Sequence, residues 1–213
     1  MSALLLCASL AACAVAVDDP KAPKPAPSTP TLATPTVIPG HDAAAVAAKD
    51  MTFAAGNTLA ASVPISFGQG LEETPGWRIT RNNVDSGTDY TSTAGCIVSA
   101  KTRTKQRSLS VAGDDNAATA GMFAYLDSSV LPEYLKTAQL RWGGDDEKPG
   151  KKLDVLALET KAAPPVRASV VYARVFSQAE STLLLSISCP TDAALAAAKG
   201  TVIKRMVVQP PAD

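Results

Sequence analysis

The chain has 213 residues, 46% of them hydrophobic, and its 20 basic and 20 acidic residues cancel to a formal net charge of zero. Such a balance argues against a nucleic-acid partner, which would demand a basic face, and against a polybasic grip on anionic lipid. With one histidine, His41, and no CxxC spacing, serine–histidine and cysteine–histidine machinery and histidine-rich metal centres are disfavoured, and no cofactor or metal is expected.

The first element is an apolar run of about 14 residues between Met1 and Val17, against the roughly 20 that span a bilayer as a helix, so it reads as the apolar part of a signal peptide. It contains Leu10-Ala11-Ala12-Cys13, which resembles the lipobox of bacterial lipoproteins, where small residues precede an acylated cysteine. The resemblance implies that residues 1–13 are a lipoprotein signal peptide ending in the lipobox cysteine. Cys13 would then carry acyl chains such as palmitate and hold the protein on the extracytoplasmic face of the cell membrane. No Lys or Arg precedes Leu4, which departs from the usual basic start, and conventional cleavage near Ala12 or Ala16 is the alternative. Ser2 in place of glycine excludes myristoylation.

Residues 14–43 carry prolines at 20, 23, 25, 27, 30, 35 and 39 and almost no large apolar side chain. A segment of this kind cannot bury enough surface to offset its ordering entropy, so a disordered stalk is expected. In polyproline II geometry, at about 3.1 Å per residue, its roughly 25 residues from Val15 to about Gly40 could place a domain up to about 75 Å from the anchor.

Residues 44–210 amount to one globular domain. Asp42–Ala55 has the composition of a lead helix, and Leu59–Phe67 predicts a strand ending at Gly68-Gln69-Gly70. Pro75-Gly76 turns the chain into a strand at Trp77–Arg81, and Asp85-Ser86-Gly87 turns it again into a strand over Tyr90–Thr102. Asp114-Asp115 can cap a helix through Leu126, and Pro132-Glu133 suits the first turn of a second helix reaching Leu140. Gly143-Gly144-Asp145-Asp146-Glu147 stops it. Three strand-like runs follow, 153–160, 168–176 and 182–188, whose short connections require antiparallel neighbours. Asp192 would cap a helix over Ala193–Lys199 closed by Gly200, with Thr201–Val208 a last strand or helix extension.

Of the four cysteines, Cys7 lies in the signal and Cys13 at the lipobox, which leaves Cys96 and Cys189. In an exported chain these form a candidate disulfide; two unpaired buried thiols are the alternative. Lys101, Arg103, Lys105 and Arg107 alternate with polar residues, either to protect an exposed β edge or to contact an anionic partner such as a phospholipid head group or wall polymer. Asp145, Asp146 and Glu147 lack the spacing of a Ca²⁺ loop and read as a solvated turn. Trp77 and Trp142 read as packing residues rather than stacking platforms.

Strands, a helical insertion, a meander and a C-terminal helix predict an α+β fold, a single antiparallel β-sheet covered by helices. Pro75-Gly76-Trp77 entering an early strand, the mid-chain helix, the meander ending near Cys189 and the late helix give a pattern that resembles the Mog1/PsbP-like superfamily, in particular the LpqN-type lipoproteins of actinobacteria. The likeness is at the level of fold and transfers no catalytic residue. The expected function is a non-enzymatic envelope lipoprotein presenting a binding domain to a protein, lipid or wall component. The alternative is an envelope enzyme using carboxylates such as Asp127, Glu133 and Glu159, which must converge in a cleft to act together.

Overall fold

The computed structural model describes residues 42–61, 63–144, 148 and 150–211. Cys13, the proline-rich segment through His41, and Asp145-Asp146-Glu147 lie outside the described residues. Among the described residues no helix is long and apolar enough to cross a membrane.

The domain opens with two short helices, α1 (Ala43–Ala47) and α2 (Phe53–Gly56), not one. Asp42 and Thr52 cap them by accepting from the backbone N–H groups of Ala45 and Ala55. Between them Met51 is pulled into a bridge with Leu153, which breaks the expected single helix. Of the expected strand at Leu59–Phe67 only β1 (Ser66–Phe67) is hydrogen-bonded as strand.

Next come β2 (Trp77–Val84) and β3 (Gly87–Ser92), joined by a tight turn in which Asp85 and Ser86 both take positive φ. The run Tyr90–Thr102 is two strands, because the chain reverses at Thr93-Ala94-Gly95 before β4 (Ile97–Arg103). Gly95 has φ +74°, a conformation its neighbours would adopt only with strain. Helix α3 (Asp115–Leu126) follows, with Asp114 as its cap.

The predicted second helix does not form. Pro132–Tyr134 makes one 3₁₀ turn, and Lys136–Trp142 is strand β5, whose Ala138, Leu140 and Trp142 turn inward with period two. Strands β6 (Lys151–Thr160), β7 (Ala168–Phe176) and β8 (Ser181–Cys189) make the expected antiparallel meander. Helix α4 (Asp192–Arg205) is capped by Thr191 and runs straight through Gly200, where no neighbouring atom approaches and the helix has room to continue. Residues Val208–Gln209 form β9.

The fold class therefore needs correction. The described residues are mostly β: one nine-stranded sheet in the order β1-β9-β5-β6-β7-β8-β4-β3-β2, curled into a half-barrel, with few helices. It is mixed, not antiparallel, because the chain leaving α4 returns as β9 alongside β5 in parallel, Trp142 beside Val208. The curl brings β1 toward β3 and β4, and residues of all three line a small cavity of about 100 Å³ with Met206. Curvature encloses the inner core, which helices covering a flat sheet would otherwise have to do. Tyr90, Val98, Leu185, Ile187, Val155 and Trp142 fill that inner face, with Leu195 and Val202 of α4 against them. A second, smaller cluster lies on the outer face, where Ala118, Met122 and Phe123 of α3 pack on Leu156, Ala173 and Val175. Strands β6 and β7 are thus buried on both faces there, which explains their near-continuous apolar sequence.

Candidate functional site

The register of β4 against β8 pairs Ile97 with Ser188, so the next residues outward, Cys96 and Cys189, face each other. They form a disulfide with a Cα separation of 4.2 Å, close to the spacing of a narrow antiparallel pair. Both cysteines are buried. Arg167 braces the same end, donating from its guanidinium to the carbonyl oxygens of Gly95 and Ser188 and to the Ser188 hydroxyl at 2.6 to 3.1 Å.

The basic run divides. Lys101 and Arg103 lie two apart on β4 and therefore on one face, the outer one. Strand β4 has partners on both sides, β3 and β8, so the run does not guard a sheet edge. Lys105 has left the strand with φ +60°, and Arg107 pairs with Glu180 at 2.9 Å. Gly87 stands opposite Lys101 in the register, and a Cβ there would collide with the lysine stem and the Ala100 carbonyl. Across from Lys101 and Arg103 on β8 are Leu184 and Thr182.

Because α3 covers β6 and β7 but stops short of β4, a groove of about 270 Å³ remains between them. Its β4 wall carries Lys101 and Arg103; Leu184 and Thr182 contribute from β8; Met122, Tyr125 and Leu126 come from α3, and Leu109 from the 3₁₀ turn before it. Tyr125 and Leu126 are 79% and 55% exposed. The arrangement places two cations beside apolar surface.

Sequence reasoning missed the most buried charge. Arg174, on β7, and Asp115, at the start of α3, form an ion pair at 2.9 Å with both side chains fully buried. The guanidinium also donates to the carbonyl oxygens of Asp154, Thr52 and Phe53, and lies over the rings of Phe53 and Phe176 at 4.3 and 4.9 Å. Burial pushes its pKa below the ordinary value while Asp115 pulls it back. The other Asp115 oxygen accepts from the Ser177 N–H at 2.8 Å. Thr119 completes the tie, donating to the Asp115 carbonyl and accepting from the Val175 N–H. The signal lay in the one arginine of the apolar run Val170-Val171-Tyr172-Ala173-Arg174-Val175-Phe176, since a charge buried on a two-sided strand requires a partner.

The carboxylates of the enzymatic alternative are engaged separately. Asp127 accepts from the hydroxyl and N–H of Ser129, which lowers its pKa, in an exposed turn after α3. Glu133 is exposed in the 3₁₀ turn, and Glu159 on β6 pairs with Lys199 of α4 at 2.8 Å. None of the three lines the groove. Trp142 is core, donating its indole N–H to the Val46 carbonyl, and Trp77 packs partly buried against the same core. Among the described residues, no three His, Cys, Asp or Glu side chains gather where they could hold a metal ion. No family model matches this chain. No curated protein matches it either.

Proposed function

We propose that the chain is a non-enzymatic exported lipoprotein, anchored through an acylated Cys13 and presenting its folded domain to a ligand or partner in the cell envelope. The observation that carries this reading is the junction Leu10-Ala11-Ala12-Cys13, where an apolar run too short to span a bilayer meets a cysteine and then a proline-rich segment suited to act as a spacer. The buried disulfide supports it, because such bonds persist in oxidising compartments outside the cytoplasm. Neutral overall charge leaves acylation as the means of attachment.

The test is fractionation of cells expressing the Cys13→Ala chain. Stable attachment takes two or more acyl chains, each buried CH₂ contributing about 0.8 kcal/mol, so losing the acylation site should move nearly all of the protein from the membrane fraction to the soluble one. A variant that still requires detergent for release overturns the anchor.

A further inference from the structure

We infer that the groove beside α3 binds a single-chain anionic amphiphile, its acidic head held by Lys101 and Arg103 and its alkyl chain lying against Leu109, Met122, Leu126 and Leu184. This deepens the reading of the domain as a binding module; it does not depend on the anchor.

Charge complementarity selects the head. Neither Lys101 nor Arg103 has an ion-pair partner among the described residues. The nearby acids are already taken: Asp89, on the same face of β3, pairs with Arg81 at 3.6 Å, and Glu180 pairs with Arg107. Two cations two residues apart on one strand therefore face the groove with their charge uncompensated, and a carboxylate or phosphate monoester can bridge them with charge-assisted hydrogen bonds.

The apolar wall selects the tail. Leu184 is in register with Lys101, so apolar surface begins one strand away from the cation. It continues onto α3 through Met122 and Leu126, and Met adapts to an irregular chain. A groove of about 270 Å³ is at the lower end of ligand-site volumes, enough for one alkyl chain and not for a two-chain lipid. Leu126 is more than half exposed in this structure, and a docked chain would cover it.

The experiment uses the full chain carrying Cys13→Ala, titrated calorimetrically below micelle formation with dodecanoate, with neutral dodecyl maltoside, and with inorganic phosphate. Dodecanoate should bind at least tenfold more tightly than dodecyl maltoside, and phosphate alone should not bind measurably. Lys101→Gln with Arg103→Gln should weaken dodecanoate at least tenfold and leave dodecyl maltoside unchanged. Leu126→Asp should weaken both. Arg103 and Leu126 are exposed and Lys101 is half-buried, and an unchanged melting curve confirms that each variant is folded. Equal affinity for the two amphiphiles, indifference to the double substitution, or phosphate binding as tight as dodecanoate each overturns the proposal. So does binding to phosphatidylglycerol vesicles without binding of monomeric dodecanoate, which would make this face a membrane contact. A wild-type chain found soluble in fractionation would remove the anchor and leave this inference standing.

Discussion

The β7–β8 hairpin is tied at both ends, and by different chemistry. At the Ala168–Cys189 end the tie is covalent: Cys96 reaches across from β4 to Cys189, and Arg167 holds the adjoining turn. At the Phe176–Ser181 end it is the buried pair of Arg174 and Asp115, which joins β7 to α3, to α2 and to β6. The covalent tie acts chiefly by restricting the unfolded chain, and its energy depends on redox conditions. The ionic tie acts only in the folded state, where it costs desolvation of two charges and returns geometry. One end thus makes the fold robust wherever the disulfide persists, and the other fixes helix α3 against β7.

Removing the covalent tie should have the largest effect. The two cysteines are 93 residues apart in sequence. Closing a loop of that length stabilises by about 4–5 kcal/mol on the chain-entropy model, so Cys96→Ser with Cys189→Ser should lose that amount in urea denaturation. The wild-type protein under strong reductant should match the double variant. A loss below about 1 kcal/mol in both would show that this end is held by Arg167 and packing instead.

Breaking the ionic tie comes next. Arg174→Leu leaves the Asp115 carboxylate buried without its counter-charge and takes the guanidinium donor from three backbone carbonyls, at a cost of about 3–5 kcal/mol. Gly56→Ala probes the same tie with both charges kept, since the added methyl would land on the Asp115 carboxylate and the Arg174 guanidinium. It should cost about 1–3 kcal/mol through overpacking. Neither position contacts the disulfide, so combining Arg174→Leu with the cysteine double variant should be additive to within about 0.5 kcal/mol. Marked non-additivity would mean that the hairpin transmits strain from one end to the other.

The two ties also differ in how far they could be read from the chain. Cysteine counting points to Cys96 and Cys189 as the candidate pair once Cys7 and Cys13 are set aside as the expected signal and lipobox residues, and the structure joins them. Arg174 and Asp115 are 59 residues apart, and nothing local marks them as partners. The meander from Lys151 to Cys189 was legible because its runs are long and its turns short. The stretch from Pro132 to Leu140 reads as helix because Pro132-Glu133 imitates a helix start, and the alternation of Ala138, Leu140 and Trp142 in β5 is only three residues deep. Curvature, and with it the half-barrel and β9, depends on contacts between β1 and strands far along the sheet, which leave no periodicity to find. The groove was half legible: the basic alternation of Lys101 and Arg103 was visible, and the apolar wall supplied by α3 was not.

Between the two ties the hairpin can be probed by pH. Tyr172 is opposite Leu185 in the middle of the pair and is 3% exposed. Burial first, and the charge of Glu159 second, push its hydroxyl up to about 12. Tyr90 on β3 is raised in the same direction by burial, with Glu72 adding to it. A tyrosine whose folded pKa exceeds its unfolded value near 10 keeps its proton longer in the folded state. Its stabilising contribution is therefore complete below about pH 10 and is lost as pH rises toward 12, at up to about 1.4 kcal/mol per pH unit. For Tyr172 the whole loss is about 2–3 kcal/mol, less than breaking either tie costs. Denaturation midpoints measured from about pH 9 upward should fall along that slope, and Tyr172→Phe should flatten it without abolishing it, since Tyr90 remains. The phenolate absorbance of the folded protein should lose its last phase in the same variant. If Tyr172 instead ionises near 10 in the folded protein, the middle of the hairpin is open to water, and the two ties hold a strand pair that breathes between them.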